Sequence, residues 1–446
     1  MESAKKLSAI SPRTHLLFAL IPPFVFLIAF LCLSPAFTTT STNNFASRLL
    51  SSPFISSLIP PSESHRMKLP TAAAAIETVR WKSTNEEELG SSSSSSSCDI
   101  FDGNWVPDED SDPLYSPGSC PFLDNSFNCF KNGRPDSGYL KFRWKPYGCE
   151  IPRFNGRKML ELLRGKRLVF VGDSLNRNMW QALVCTLRES AKNKTGIFEV
   201  FGRREFRTQG FYSVRFPEAN CSLDFVKSPF LVQEWKSPVS GSHHRETLRL
   251  DMIQGSFSDY RDADIIVFNT GHWWTHRKTN RGKNYYQEGS HVYSKLRVTE
   301  AYKKALATWS QWVDSNIDGN RTKVFFRGYS ASHFGTAQRC DDGSAAGPVT
   351  NEAELGAGDY PWWMMKAVES VIGEMKTPVF YLNVTKMTSY RRDGHPSIYH
   401  ERRAAAASGG GGAEFQDCSH WCLPGVPDAW NQLLYAALLL DGGGGR

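Results

Sequence analysis

Several signatures that would assign a function outright are missing from this chain. It holds no G-x-x-x-x-G-K-[ST] loop, no G-x-G-x-x-G turn and no H-E-x-x-H helix, so phosphate-cradle, dinucleotide and zinc-protease readings have no footing. Charge of one sign is scarce. Lys and Arg number 52 against 45 Asp and Glu, leaving +7 over 446 residues with no dense basic block. With no RNP, zinc-finger or basic-zipper pattern either, nucleic acid is not an expected partner. The small positive excess suits a weakly acidic polymer such as a glucuronylated or galacturonic chain, although a soluble protein with a few extra lysines shows the same balance. His243-His244 has no third ligand nearby and the cysteines lack zinc-knuckle spacing, so no metal site is expected. No repeat with a period of about 20–50 residues occurs, which argues against a solenoid.

Long hydrophobic runs are confined to one place. Residues 16–37 are almost free of polar groups and, at ~1.5 Å per residue, are long enough to cross the ~30 Å hydrocarbon core. Lys5, Lys6 and Arg13 precede this run, and after it only Arg48 is charged before Glu63. The positive-inside rule then leaves residues 1–15 as a cytosolic tail, 16–37 as a signal anchor and the bulk of the chain in a lumen. A cleaved signal peptide is the competing reading; the length of the run and its weak cleavage pattern favour an uncleaved anchor. Residues 38–97 are rich in Ser, Thr, Pro and Ala and end in a serine run, which reads as a flexible stalk.

The cysteines agree with a lumenal address. Cys32 lies in the span, and Cys98, Cys120, Cys129, Cys149, Cys185, Cys221, Cys340, Cys418 and Cys422 follow it. In an oxidising lumen these form a disulfide framework, and because nine is odd at least one thiol stays free; spacing alone does not give the pairing. Acceptor triplets for N-glycosylation stand at Asn193, Asn220, Asn320 and Asn383. Residues 98–150, dense in Gly, Pro, Asp and aromatics, predict a loop-rich, disulfide-stapled N-terminal lobe.

From residue 151 the texture changes to short apolar strands alternating with helices. Residues 167–171, 265–268, 324–326 and 379–382 predict buried strands, and 175–188, 299–315, 362–374 and 430–440 predict helices. Such alternation implies an α/β fold with a mainly parallel sheet flanked by helices. The alanine and glycine run at 404–413 reads as a flexible insertion, and 442–446 as a frayed tail.

Gly172-Asp173-Ser174 follows the first of these strands and opens a helix. Ligands bind at the carboxyl ends of strands in open α/β sheets, and a helix N-terminus offers free N–H groups to a developing oxyanion, so Ser174 is the candidate nucleophile. The plainer alternative is that Asp173 or Ser174 only caps the helix. A serine needs a base, and Asp417-Cys-Ser-His420 offers a histidine with a carboxylate three residues away to orient it. That segment also reads as a surface turn in which Asp417 caps the last helix. Asn269-Thr-Gly271-His272-Trp273-Trp274 sits at another strand end. There Asn269 and Gly271 can complete an oxyanion hole and His272, Trp273 and Trp274 can line a sugar cleft, or the segment is a glycine turn with packed aromatics. Arg177 and Asn178, one turn into the helix, are further substrate or oxyanion candidates, together with Gly172 and Asp173. His333 in Tyr329-Ser-Ala-Ser-His333 competes for the base role but lacks an adjacent carboxylate.

Taken together, a GDS serine after the first strand, an Asn/Gly block and a C-terminal DxxH resemble the GDSL/SGNH esterase superfamily. More closely, the chain resembles the plant trichome birefringence-like family. The residues that carry this are Cys98-Asp-Ile-Phe-Asp-Gly-Asn-Trp105, Pro113-Leu-Tyr115, Gly172-Asp-Ser-Leu-Asn-Arg-Asn-Met-Trp180, Pro229-Phe-Leu-Val-Gln-Glu-Trp235, Asn269-Thr-Gly-His-Trp-Trp274 and Asp417-Cys-Ser-His-Trp-Cys-Leu-Pro-Gly-Val-Pro-Asp-Ala-Trp-Asn431. The resemblance implies an SGNH-like domain over 151–446, a Golgi-resident type II protein, and O-acetylation of a wall polysaccharide such as xylan or pectin. In it Ser174 acts as nucleophile, with His420 and Asp417 as its partners. It implies that Cys185 joins the framework with Cys98, Cys120, Cys129, Cys149, Cys340, Cys418 and Cys422, leaving Cys221 as the odd thiol. No cofactor is implied beyond an acetyl donor; acetyl-CoA is one option, although the chain shows no motif that binds it. The triad alone leaves hydrolysis of acetyl esters open, and a non-catalytic polysaccharide-binding protein is the alternative of a different class.

Overall fold

The computed structural model describes residues 98–108, 112–238, 244–335, 339–340, 361–400 and 416–442. The expected signal anchor, the stalk and the insertion at 404–413 lie outside the described residues. Among the described residues, no helix is long and apolar enough to cross a membrane.

Thirteen strands are named in chain order: β1 (Gly103–Pro107), β2 (Phe142–Pro146), β3 (Arg167–Gly172), β4 (Phe198–Glu199), β5 (Phe211–Phe216), β6 (Cys221–Lys227), β7 (Val232–Pro238), β8 (His244–Ile253), β9 (Ile265–Phe268), β10 (Tyr286–Glu288), β11 (His291–Val292), β12 (Lys323–Arg327) and β13 (Val379–Leu382). The helices are α1 (Gly156–Leu162), α2 (Ser174–Ser190), α3 (Val298–Asn316), α4 (Trp362–Glu374), α5 (Thr385–Ser389) and α6 (Val426–Gly442). A seven-stranded sheet in the order β13-β12-β9-β3-β6-β5-β4 forms the centre. Its strands from β13 to β6 run parallel, while β5 and β4 close one edge antiparallel.

Both faces of this sheet are covered, which is why its central strands read as unbroken apolar runs. Leu168, Phe170, Ile265 and Val267 face α1, α2 and α6 in one core. Val169, Val171, Ile266 and Phe268 face α3 and α4 in the other. From β3 the chain builds β6 on one side and β9 on the other, so the carboxyl ends of β3 and β9 border a topological switch point. The expected strands are all present; the strand expected at 324–326 runs one residue further at each end, and the last helix starts four residues before the expected 430.

Two features go beyond the sequence reading. A second sheet, in the order β11-β10-β8-β7, was not expected, because its strands mix apolar with charged residues such as Glu234, Lys236, Arg249 and Asp251. The cysteine-rich segment does not keep a core to itself: Ile100, Trp105, Phe122, Phe127 and Trp144 join the α2/α6 core. The Trp105 indole donates to the Met387 carbonyl at 2.7 Å, fixing β1 against α5.

Four disulfides are formed: Cys98–Cys149, Cys120–Cys185, Cys129–Cys422 and Cys340–Cys418, with Cys221 free and buried. The second and third tie the N-terminal segment to α2 and to the segment before α6. Replacing Cys129 and Cys422 together by alanine is expected to cost about 2–5 kcal/mol of stability, read as a lower thermal midpoint without reductant. Cys221→Ala, which breaks no crosslink, should shift that midpoint less.

Candidate active site

β3 ends at Gly172 and α2 begins at Ser174, so strand becomes helix across the single residue Asp173. A Cβ on Gly172 would lie 1.9 Å from Asn269 Oδ1; glycine is what allows the end of β9 to come this close. Asp173 has extended backbone angles and caps α2, accepting the Leu175 N–H at 2.9 Å. Ser174 is half-buried in a run that is otherwise buried from Leu168 to Leu187, so it is the one side chain there with access to solvent.

The sequence puts His420 on a segment without regular structure, yet its ring meets Ser174. His420 Nε2 lies 2.7 Å from Ser174 Oγ, and its Nδ1 lies 2.7 Å from Asp417 Oδ2. The other Asp417 oxygen accepts the backbone N–H groups of Ser419 and His420, both at 3.1 Å, and the Ser419 hydroxyl. Burial alone would raise the Asp417 pKa. The charge and hydrogen bond of His420 and the two backbone donors outweigh it, holding the carboxyl well below the usual carboxylate range. Asp417 therefore stays ionised while the imidazole gains and loses its proton, which is what an orienting carboxylate has to do. Asp417 does not cap the last helix, since α6 starts nine residues later, at Val426.

Residues expected to touch substrate turn out to hold this geometry instead. Asn178, fully buried, takes the Trp421 N–H on its Oδ1 at 2.8 Å and gives its Nδ2 to the Trp421 carbonyl at 3.1 Å. One turn of α2 thus carries the nucleophile and also clamps the residue after His420. Arg177 is buried against Asp124 at 2.8 Å and bonds the Phe206 carbonyl, so it joins α2 to the N-terminal segment and is not a substrate contact. Phe127, two residues before Cys129, packs its ring 5.2 Å from that of His420.

The Asn269 block is likewise inward-looking. Asn269 accepts the Asp173 N–H on Oδ1 at 3.0 Å and donates Nδ2 to Asp173 Oδ1 at 2.8 Å. One of its two amide hydrogens is therefore held by Asp173, and the Asp173 N–H is held by Asn269 in return. The cause is that Asp173 is a buried carboxylate: burial raises its pKa, and His272, Arg327 and Asn269 overcome that and hold it anionic. His272 lies 3.5 Å from Asp173, stacks on Tyr329 and bonds the Ser330 carbonyl at 2.9 Å. Trp274 is a core residue packed on Phe230, with its indole N–H on Thr270, and not a wall of a cleft. Trp273 is half-buried, with Lys278 over its ring. The backbone N–H groups of Ser174 and Gly271 have no acceptor among the described residues.

His333 does not approach Ser174; it is buried against His395 and Ser389. Sequence reasoning gave no role to His395, Arg327 or Trp421, because nothing in their local pattern separates a buried polar side chain from a solvated one. Of the glycosylation candidates, Asn193, Asn220 and Asn320 are exposed and Asn383 is half-buried.

Comparison with known proteins places this geometry. Residues 151–437 match the model of the GDSL/SGNH-like acyl-esterase family found in Pmr5 and Cas1p, and residues 96–150 match the PMR5 N-terminal domain. The chain is 53% identical to protein trichome birefringence-like 4 of Arabidopsis thaliana over 417 residues, covering 91% of this chain and 90% of that one. It is 52% identical to trichome birefringence-like 1 and 51% identical to trichome birefringence from the same plant. Those two alignments cover 78% and 81% of this chain but only 63% and 60% of the relatives.

Two variants separate chemistry from support. Asp417→Asn should slow covalent labelling of Ser174 by a fluorophosphonate by about three to four orders of magnitude, because the imidazole loses its orienting charge. Asn178→Ala should slow the same reaction by about a hundredfold, the effect of a displacement near 1 Å, while Ser174 and His420 stay chemically intact.

Proposed function

Since the chain belongs to the trichome birefringence-like family of GDSL/SGNH-like acyl-esterases, we propose that it moves an acetyl group through a Ser174 acyl-enzyme onto a hydroxyl of a plant cell-wall polysaccharide. The observation that carries this is the unbroken line from Asp417 to His420 to Ser174, with both contacts at 2.7 Å. His420 Nε2 takes the Ser174 proton as Oγ bonds the acetyl carbon, and the charge that develops on the carbonyl oxygen falls to the Ser174 and Gly271 N–H groups. The donor's leaving group departs with the proton from His420. An acceptor hydroxyl then gives its proton to His420 and attacks the acetyl carbon, forming the new ester and returning the proton to Ser174.

The acceptor is xylan or pectin, and the chain works in the Golgi lumen as a single-pass type II protein anchored by residues 16–37. Support for these comes from the apolar run, the positive residues before it and the family resemblance. A second reading has a specific observation behind it: the matched family is described as an acyl-esterase, and water in place of the sugar hydroxyl would make this a deacetylase.

The test mixes the full-length chain with an acetyl donor and, separately, xylan, pectin and mannan oligosaccharides. Acetyl gain on one glycan, absent with Ser174→Ala, is the expected result. Release of acetate to water with no glycan gain would replace transfer by hydrolysis, and activity that survives in Ser174→Ala would remove Ser174 from the chemistry.

A further inference from the structure

Behind the His420 loop lie two histidines that acyl transfer does not use. His333 and His395 are 4% and 3% exposed. His395 Nδ1 is 2.7 Å from the His420 carbonyl oxygen, its Nε2 is 2.7 Å from His333 Nδ1, and His333 Nε2 is 3.0 Å from the Ser389 carbonyl oxygen. Each end of this line of four nitrogens meets a carbonyl, which only accepts, so each end nitrogen must carry a hydrogen. The central contact needs one more, because two bare imidazole nitrogens at 2.7 Å repel. Three hydrogens on four nitrogens make one neutral ring and one imidazolium. An uncharged pair has only two hydrogens and must give up one of the three contacts.

We infer that His333 and His395 hold a single shared extra proton, and that this buried cationic pair positions His420 through its backbone carbonyl. The inference rests on the acyl-enzyme reading above. His395 is the neutral partner: burial and the neighbouring His333 both push its affinity for a proton down. The charge accordingly resides on His333, which donates to His395 and to Ser389 of α5. Trp421 supplies an aromatic face to the pair, stacked on His395 at 4.1 Å and edge-on to His333 at 6.3 Å. On the catalytic loop, Asp417 favours a charge here and His420 opposes it. From the N-terminal segment, Arg134 donates to the His395 carbonyl and is paired with Asp136; four and two residues before His395, Arg391 and Asp393 form another pair. Those two cations are neutralised locally, and among the described residues Asp417 is a carboxylate whose field favours a proton on His395.

While the pair keeps its proton, His333 anchors His395 from Ser389; once rising pH removes it, His333 has one N–H for two contacts, so the line breaks at Ser389 or between the rings and His395 is no longer held firmly behind the His420 carbonyl. His420 itself has to be neutral to take the serine proton. Ser174 reactivity should therefore rise and then fall with pH, the second limb belonging to residues that touch neither substrate nor Ser174.

The rate of fluorophosphonate labelling of Ser174 in the full-length chain, followed from about pH 5 to about pH 9, reads both limbs, the falling one approaching about tenfold per pH unit as one proton is lost. His333→Gln keeps a donor toward His395 but cannot titrate; it is expected to label more slowly at its maximum and to show no falling limb. A falling limb at the same pH in His333→Gln would overturn the inference. Should that variant fail to fold, histidine-selective nitrogen-15 spectra of the wild-type chain decide. One imidazolium in the buried pair at the pH of fastest labelling is the expected result, and two neutral rings there would overturn it. If Ser174 takes no label at any pH, the acyl-enzyme reading fails, and the nitrogen spectra still judge the protonated pair.

Discussion

The 2.7 Å contact between His420 and Ser174 joins residues 246 positions apart, one at the start of a helix and the other on a segment with no regular structure of its own. A base on such a segment has no ladder of backbone bonds to hold it, and a displacement near 1 Å is enough to lose about a hundredfold in rate. Much of the surrounding architecture answers that constraint. Cys418 and Cys422 crosslink the segment on either side of His420 to Cys340 and Cys129. Asn178 grips the backbone of Trp421 from α2, and His395 takes the His420 carbonyl from behind. The N-terminal segment supplies Cys129 and Phe127 at this place, so it acts as part of the site's frame and not as an appendage.

A second constraint lies under the nucleophile. Asp173 caps α2 from a fully buried position, where an ionised carboxylate is costly unless donors surround it. Asn269, His272 and Arg327 come from the ends of β9 and β12 to provide them. The buried anion thereby draws the strand ends of the switch point together. It also explains why the polar residues after β9 face inward.

What the sequence made legible was local. Short, wholly apolar runs such as Leu168–Val171 announced a sheet covered on both faces, and the Gly-Asp-Ser turn and the Asp417/His420 spacing announced a serine and its base. Roles that depend on contacts across the chain were not legible. Asn178 and Arg177 look like substrate residues from their distance to Ser174, yet Trp421 and Asp124 claim them, 243 and 53 positions away. His395 gave no signal at all, because its partners His333 and the His420 carbonyl lie 62 and 25 residues distant. The sheet of β7, β8, β10 and β11 escaped for a different reason: exposed strands carry charge and lose the apolar pattern that marks a strand.

The most direct test of this account is the mass of the Ser174 peptide, taken from the full-length chain quenched in acid moments after it meets an acetyl donor. An acetyl ester on Ser174 that disappears when an acceptor oligosaccharide is added is the predicted result. Turnover of the donor with Ser174 unmodified at every time sampled, including under conditions that slow the second step, would contradict it.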